Sequence, residues 1–484
     1  MTGQDASFLY NETPRQHMHT LKIAVLDPST VPGGYSFEKV KEALAARLHL
    51  LPPFRRRVVR VPLDLHHPLW VEDPDFDLDT HVHRAVVPPP GGRDEFDDLI
   101  SEIASYPLDP RRPLWEIWVV EGMEEGHVGF VAKMHHSIAD GVMAAEMLAN
   151  VLTTDPGALD PAPPAQPWTP DEVPSRLRLT LDALVDVLKV VLGLPALLAR
   201  TVRGLLAVSR HKRTAEVRPP APFSGPNCSF NRALTPHRRF VTATLPLSEV
   251  KDVKSAFGVT VNDVILELCA GALRAYLDER DELPDKPLVA GVPVSTRQPD
   301  TRLRPERPSE RAVLRPERPS ERAEMRNNSV SNMFTALPVQ LADPVERLRA
   351  VHEVTKGAKE QFNLLGVDML SDWLEVTPPK PYAAFIRLYG RLGLADRHRP
   401  PINLIVSNVP GPQDDLFIAG ARLVAIYSVG PILENVGLNV TVWSYRDALN
   451  VGIIGVREHV PDLRRLCSLL HDELEQLKKA AVAA

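Results

Sequence analysis

Residues 135–141 read His-His-Ser-Ile-Ala-Asp-Gly, two adjacent histidines with an Asp-Gly pair that begins four residues after the second. A histidine is the natural general base near neutral pH, because its unperturbed pKa is about 6.5. To act on an alcohol it must stand at a substrate channel, in one tautomer, with one ring nitrogen presented. The apolar run 127–134 reads as a strand, and residues 140–152 are rich in helix formers. Side chains alternate at a strand end, so one ring can enter a channel while the other points into the body. Asp140 would begin the helix, where a carboxylate caps amides or bonds a nearby ring or arginine. Gly141 permits close approach of another segment.

Other titratable clusters are weaker. His66-His67 has no Asp-Gly behind it and is given no role. His17 and His19 would share a strand face, as metal ligands do, but no third ligand accompanies them and they read as packing; no metal site is expected. Cys228, Cys269 and Cys467 lack CxxC or Cys/His spacing, which indicates neither zinc nor a disulfide framework and suits a reducing cytosol. A net charge of -6 argues against nucleic acid as the main partner. There is no P-loop or Rossmann glycine fingerprint, so nucleotide recognition would rest on scattered side chains and amides. No apolar run reaches the roughly 18–20 residues of a spanning helix, and the polar N-terminus lacks a signal-peptide core.

The elements that must position the histidines follow from periodicity. Residues 20–26 read as a strand and 37–49 as a helix. A Pro-rich stretch, 161–174, marks a boundary between a unit at 1–160 and one at 221–484. Between them, at 161–220, lies this linker and an amphipathic segment, 176–213, with apolar residues at helical spacing from Leu177 to Leu192. Pro195 should break or kink it, and Arg200, Arg203, Arg210, Lys212 and Arg213 gather at its far end. It reads either as a helix pair packed on the body or as a membrane-surface segment. In the second unit, 239–245, 286–294 and 402–406 read as strands, 247–257 as a helix stopped by Gly258, and a longer helix follows Asn262. Residues 437–445 and 449–456 read as a hairpin, and 461–480 as an amphipathic helix. An eleven-residue unit is duplicated in tandem at 303–324; nearly devoid of apolar residues, it reads as a surface loop.

HHSIADG resembles the active-site motif of the CoA-dependent acyltransferase superfamily. PLDPRRPLWE at 107–116, FNRALTPHRRF at 230–240, VTVNDVILELCAGALRAYL at 259–277, VPVSTR at 292–297, NNSVSNMFTALP at 327–338 and SNVPGP at 407–412 narrow the resemblance. With the opening DASFLYNETPRQHMH at 5–19, nearly the whole chain is similar to the wax ester synthase/diacylglycerol acyltransferase (WS/DGAT) family. The duplicated loop departs from it as an insertion.

The resemblance implies an α/β fold of two chloramphenicol-acetyltransferase-like domains, with mixed or antiparallel sheets flanked by helices and a channel between them. It implies His136 as general base, His135 and Asp140 in supporting structural roles, and Gly141 as part of the motif. No cofactor is implied beyond long-chain acyl-CoA as co-substrate; the acceptor is diacylglycerol or a long-chain alcohol. Asn262 reads either as channel wall or as cap of the following helix, and Arg297 either as a CoA-phosphate contact or as a salt bridge. Trp115 reads as core and Arg112 as a structural ion pair. Insoluble substrates imply a cytoplasmic chain at the inner membrane or at lipid droplets, touching them through 176–213. A carrier-protein-dependent condensation domain and a non-catalytic lipid-binding or droplet protein are the competing readings.

Overall fold

The computed structural model describes residues 1–139, 141–164, 166–214, 220–295, 330–365 and 369–483. Helix α1 (Gly3–Asn11) leads into β1 (His19–Asp27) and α2 (Phe37–Arg47). Next come β2 (Arg56–Val59), β3 (Leu69–Glu72), β4 (Val82–Val86), α3 (Arg93–Ser105) and β5 (Trp115–Glu121). β6 (Val128–His135), α4 (Gly141–Ala149), β7 (Leu152–Thr153) and the long α5 (Arg176–Thr214) follow. The second half begins with β8 (Arg238–Pro246), α6 (Leu247–Phe257), α7 (Val261–Asp278), β9 (Leu288–Ser295) and β10 (Val330–Leu337). It continues through α8 (Pro344–Leu365), α9 (Met369–Glu375), α10 (Pro379–Arg391), β11 (Leu404–Val409) and β12 (Phe417–Ile418). β13 (Ala421–Val429), β14 (Leu438–Tyr445), β15 (Ala448–Val456) and α11 (Arg464–Ala483) complete the chain.

Among the described residues the strands form two large mixed sheets, ordered β4-β5-β6-β1-β13-β12-β7 and β10-β9-β11-β14-β15-β8. This is the helix-flanked α/β architecture the resemblance implied. A division at 160 and 221 follows the sequence but not the sheets. β12 and β13 come from the second half and complete the first sheet, with β13 antiparallel to β1 from Leu21↔Val429 to Asp27↔Arg422. Their return covers the edge of β1 that β6 leaves unpaired. The cores follow the same mixing: Trp443 and Tyr445 pack with Trp115 and Met134, and Phe240 and Ile454 with Leu21 and Val131.

A second joint links α3 to β8, the edge strand of the second sheet. The outward amides of Arg238, Phe240 and Thr242 each donate at 2.9 Å, to Ser105 Oγ, Ser101 Oγ and Asp97 Oδ2 respectively. Four helical residues rise about 6 Å and two strand residues about 6.8 Å. Side chains spaced i, i+4, i+8 on the helix therefore meet every second amide of the strand. Burial pushes the Asp97 carboxyl up to about 7, against the bonds from Thr242. The folded state thus holds this proton more tightly than the unfolded chain does. The resulting stability is full below about pH 4 and is lost as pH rises through about 7. Asp97→Asn should remove this slope, so that its urea midpoint gains on the parent's between about pH 5 and pH 8. Equal pH dependence in the two proteins would refute the assignment.

One expectation is corrected by α5. It runs as a single helical element through Pro195 rather than as a helix pair. Val191 and Pro195 are exposed, so the carbonyl that proline leaves without a donor stays open to water. Among the described side chains of this helix, only Leu179, Ala183 and Leu197 are buried. Leu177, Leu181, Leu184, Leu188 and Leu192 are 52–72 % exposed, so the apolar stripe turns away from the body. α10 adds exposed Phe385 and Leu388. Among the described residues no single helix is long and apolar enough to cross a membrane.

Candidate active site

β6 ends at His135, and the chain turns there, with the Ile138 amide donating to the His135 carbonyl at 2.9 Å. His135 is fully buried and His136 half-buried. The backbone of the pair is anchored on both sides: the His135 amide donates to Leu114 O at 2.9 Å and the His136 amide to Met18 O at 2.7 Å. His136 lies against Phe8 of α1, ring centroids 4.3 Å apart and planes inclined by 28°. His135 Nδ1 accepts from the Ser137 amide at 3.1 Å and lies 2.7 Å from Ser137 Oγ. α4 then opens at Gly141 and sends Met143, Ala144 and Met147 into the core.

The residue that sequence reasoning missed is Glu12, directly after α1. Its Oε2 lies 3.4 Å from His135 Nε2 and its Oε1 3.4 Å from His19 Nε2. His19 and His135 are cross-strand partners, with rings edge to face at 6.2 Å. Burial pushes His19 down to about 3, with Lys133 adding to the effect and Glu12 opposing it; burial likewise holds His17 at about 4. Both rings are neutral at physiological pH. Burial alone would raise the Glu12 carboxyl, but the adjacent His135 and His19 rings outweigh it and hold the group well below the usual carboxylate range. A cleft of about 110 Å³, lined by Leu9, Tyr10, Leu114, Lys380 and Arg387, opens on Glu12. The one signal in the sequence was the spacing of Phe8 and Glu12, one helical turn apart and so on one face.

The other expected residues fall elsewhere. Asn262 is half-buried in the first turn of α7 but does not cap it; Thr260 does, accepting from the Asp263 amide while Asp263 returns the bond. Asp140, Arg297 and the duplication at 303–324 lie outside the described residues. Trp115 is core, stacked on Phe54 and His81 with its indole N–H on Phe54 O at 2.8 Å. Arg112 is exposed, and it is Arg111 that pairs with Asp109, at 2.8 Å. His17 and His19 stack at 5.4 Å, and among the described residues no group of three or more His, Cys, Asp or Glu is arranged to hold a metal ion.

The fold is shared with solved structures. The chain superposes over 99 % of its length on a trichothecene 15-O-acetyltransferase from Fusarium sporotrichioides, covering 94 % of that chain at 14 % identity with a TM-score of 0.56. It covers 94 % of the first condensation domain of the CDA synthetase at 16 % identity with a TM-score of 0.55. This is the fold of CoA-dependent acyltransferases and condensation domains. The likeness to a wax ester synthase/diacylglycerol acyltransferase from Marinobacter aquaeolei VT8 is greater: 26 % identity, TM-score 0.66, over 99 % of this chain and 98 % of that one. The model for the wax ester synthase/diacylglycerol acyltransferase catalytic domain matches residues 1–265, and that for the WS/DGAT C-terminal domain residues 327–478. A Mycobacterium tuberculosis H37Rv protein provisionally named a diacylglycerol O-acyltransferase is 37 % identical over 99 % of this chain and 96 % of its own length. The chain belongs to the WS/DGAT family and is an acyltransferase.

Proposed function

We propose that the protein transfers a long-chain acyl group from acyl-CoA to the free hydroxyl of diacylglycerol, making triacylglycerol, with His136 as general base. The observation that carries this reading is the unequal pair at the end of β6. His135 is buried and held by Ser137 and Glu12, while His136 keeps partial exposure with its ring steadied by Phe8. The His136 ring takes the hydroxyl proton as the oxygen attacks the thioester carbonyl carbon. The tetrahedral intermediate expels the thiolate, which takes the proton back, leaving ester and free CoA thiol. No acyl-enzyme is required. The likeness to the Marinobacter wax ester synthase/diacylglycerol acyltransferase favours a second reading in which a long-chain alcohol is the acceptor.

Both acceptors are insoluble, and the exposed apolar stripe of α5 suits a lipid surface. That exposure makes the segment 176–213 the surface we assign to lipid contact. Thiol release from palmitoyl-CoA, with diacylglycerol, hexadecanol or no acceptor, tests the function. Release that needs an acceptor is expected, and the better acceptor separates the two readings. Release with neither would overturn both. Leu188→Asp/Leu192→Asp should weaken sedimentation with phosphatidylglycerol-containing vesicles by roughly tenfold or more, since each exposed leucine can contribute about 1.5–3 kcal/mol on burial. Unchanged sedimentation would remove α5 from the contact.

A further inference from the structure

The two motif histidines are gripped by one short helix. Phe8 stacks on His136, and Glu12, one turn later, faces His135. α1 is docked firmly for this task. The Gly3 amide donates to Glu375 Oε2 at 2.6 Å, Tyr10 OH lies 2.8 Å from His67 Nδ1, and Tyr382 OH donates to Asn11 Oδ1 at 3.0 Å. A Cβ at Gly3 would stand 2.4 Å from the Glu375 backbone, so the N-terminus of α1 is pressed against α9.

The tautomer of His135 follows from its partners. A backbone amide can only donate, so the Ser137 N–H at 3.1 Å makes Nδ1 an acceptor and puts the ring proton on Nε2. Nε2 faces Glu12 Oε2 at 3.4 Å. The other oxygen of the same carboxylate lies 3.4 Å from His19 Nε2, so the group sits between both rings of one cross-strand pair. It remains 26 % exposed to the cleft while the two rings are sealed.

We propose that Glu12 is the positioning residue of the motif: its carboxylate fixes His135 as the Nε2–H tautomer, and so holds the turn that presents His136. With the proton moved to Nδ1, the Ser137 amide would lose its acceptor and the turn at 135–138 would loosen beneath His136. Glutamine at position 12 keeps the size but removes the charge and replaces one of the two facing oxygens with a donor. The inference rests on the reading of His136 as base.

The test is Glu12→Gln and Glu12→Asp in the full chain, read by kinetics and by ring nitrogen shifts in 15N-histidine-labelled protein. For Glu12→Gln, kcat should fall about 10–100-fold, the range for outer hydrogen-bond partners that orient a ring, with KM for palmitoyl-CoA held within about twofold. Glu12→Asp should recover part of the loss. Combined with His135→Gln, the losses should not multiply, because both changes break one contact. The parent should show His135 as the Nε2–H tautomer, and in Glu12→Gln its ring nitrogen shifts should move toward the Nδ1–H form. An unchanged kcat, multiplying losses, or an Nδ1–H ring in the parent would overturn the proposal. A parent that releases no thiol would sink the acyltransferase reading instead, and the ring shifts would still decide the role of Glu12.

Discussion

His136→Ala should lower kcat by about 10²–10⁴-fold, the usual contribution of a positioned general base, while the protein stays folded. The argument turns on what the ring does in the fold. The His136 amide, which holds the backbone to Met18 O, survives the substitution. Half-buried, the ring gives up its contact with Phe8, a loss of about 0.5–1.5 kcal/mol. His135→Ala is the necessary contrast. That ring is fully buried and accepts the Ser137 amide, so its removal leaves a cavity and a buried donor without its partner. It should lower thermal stability as well as turnover. The pair therefore separates chemistry from scaffold, with activity lost at constant stability for His136 and both lost for His135. Near-parental thiol release by His136→Ala would exclude it as the base. Stable, inactive His135→Ala beside unstable His136→Ala would reverse the two roles.

The alternation of side chains along a strand reads one ring of HHSIADG as turned into the body, and His135 is buried while His136 is half-buried. Local periodicity likewise placed β1, α2, β6, β8, α6, the β14–β15 hairpin and α11 close to their observed bounds, with Gly258 at φ 67° ending α6 as read. Long-range pairing was not legible in this way. The return of β13 to β1 joins residues some four hundred positions apart, and nothing in either strand's alternation names its partner. Glu12 was hidden for the same reason: a carboxylate just after a helix gives no sign that it faces a ring 123 residues later. The apolar stripe of α5 was visible, but the same period serves a helix buried in a core or lying on a lipid surface, and only its exposure separates the two. In the stretch at 230–240, Asn231 serves the scaffold. Asn231 Nδ2 donates to Asn403 O at 2.9 Å and to Asn435 O at 2.8 Å, tying three loops inside the second half. The glycine of SNVPGP likewise serves packing, for a Cβ at Gly411 would fall 2.0 Å from Ser444 O.

Arg347→Met should be the most destabilising of the substitutions considered, by about 3–5 kcal/mol, the range for breaking a buried ion pair by removing one partner. Arg347 on α8 is 1 % exposed and stands between two buried carboxyls. Its Nε donates to Glu267 of α7 at 2.9 Å, its Nη2 to Glu473 of α11, and its Nη1 to Leu341 O at 2.8 Å. The approach is close enough that a Cβ at Gly271 would lie 2.2 Å from the Glu473 carboxyl carbon, so a side chain at 271 would displace that carboxyl. One guanidinium cannot neutralise two carboxylates. Burial, reinforced by Glu473 and opposed by Arg347, raises the Glu267 carboxyl well above its usual range, which makes Glu267 the expected site of the shared proton. Methionine at 347 would leave Glu473 without its cation and the Leu341 and Ala342 carbonyls without the donor that Nη1 gives them. The loss is a large share of a typical folding free energy of about 5–15 kcal/mol. Glu267→Gln is the control, because an amide keeps the size and neutrality of a protonated carboxyl and should cost no more than about 1 kcal/mol. Urea unfolding of the two variants near neutral pH decides the matter. A Glu267→Gln loss as large as that of Arg347→Met would mean that Glu267 is charged. A mild Arg347→Met would mean that the three helices are held by their apolar contacts alone.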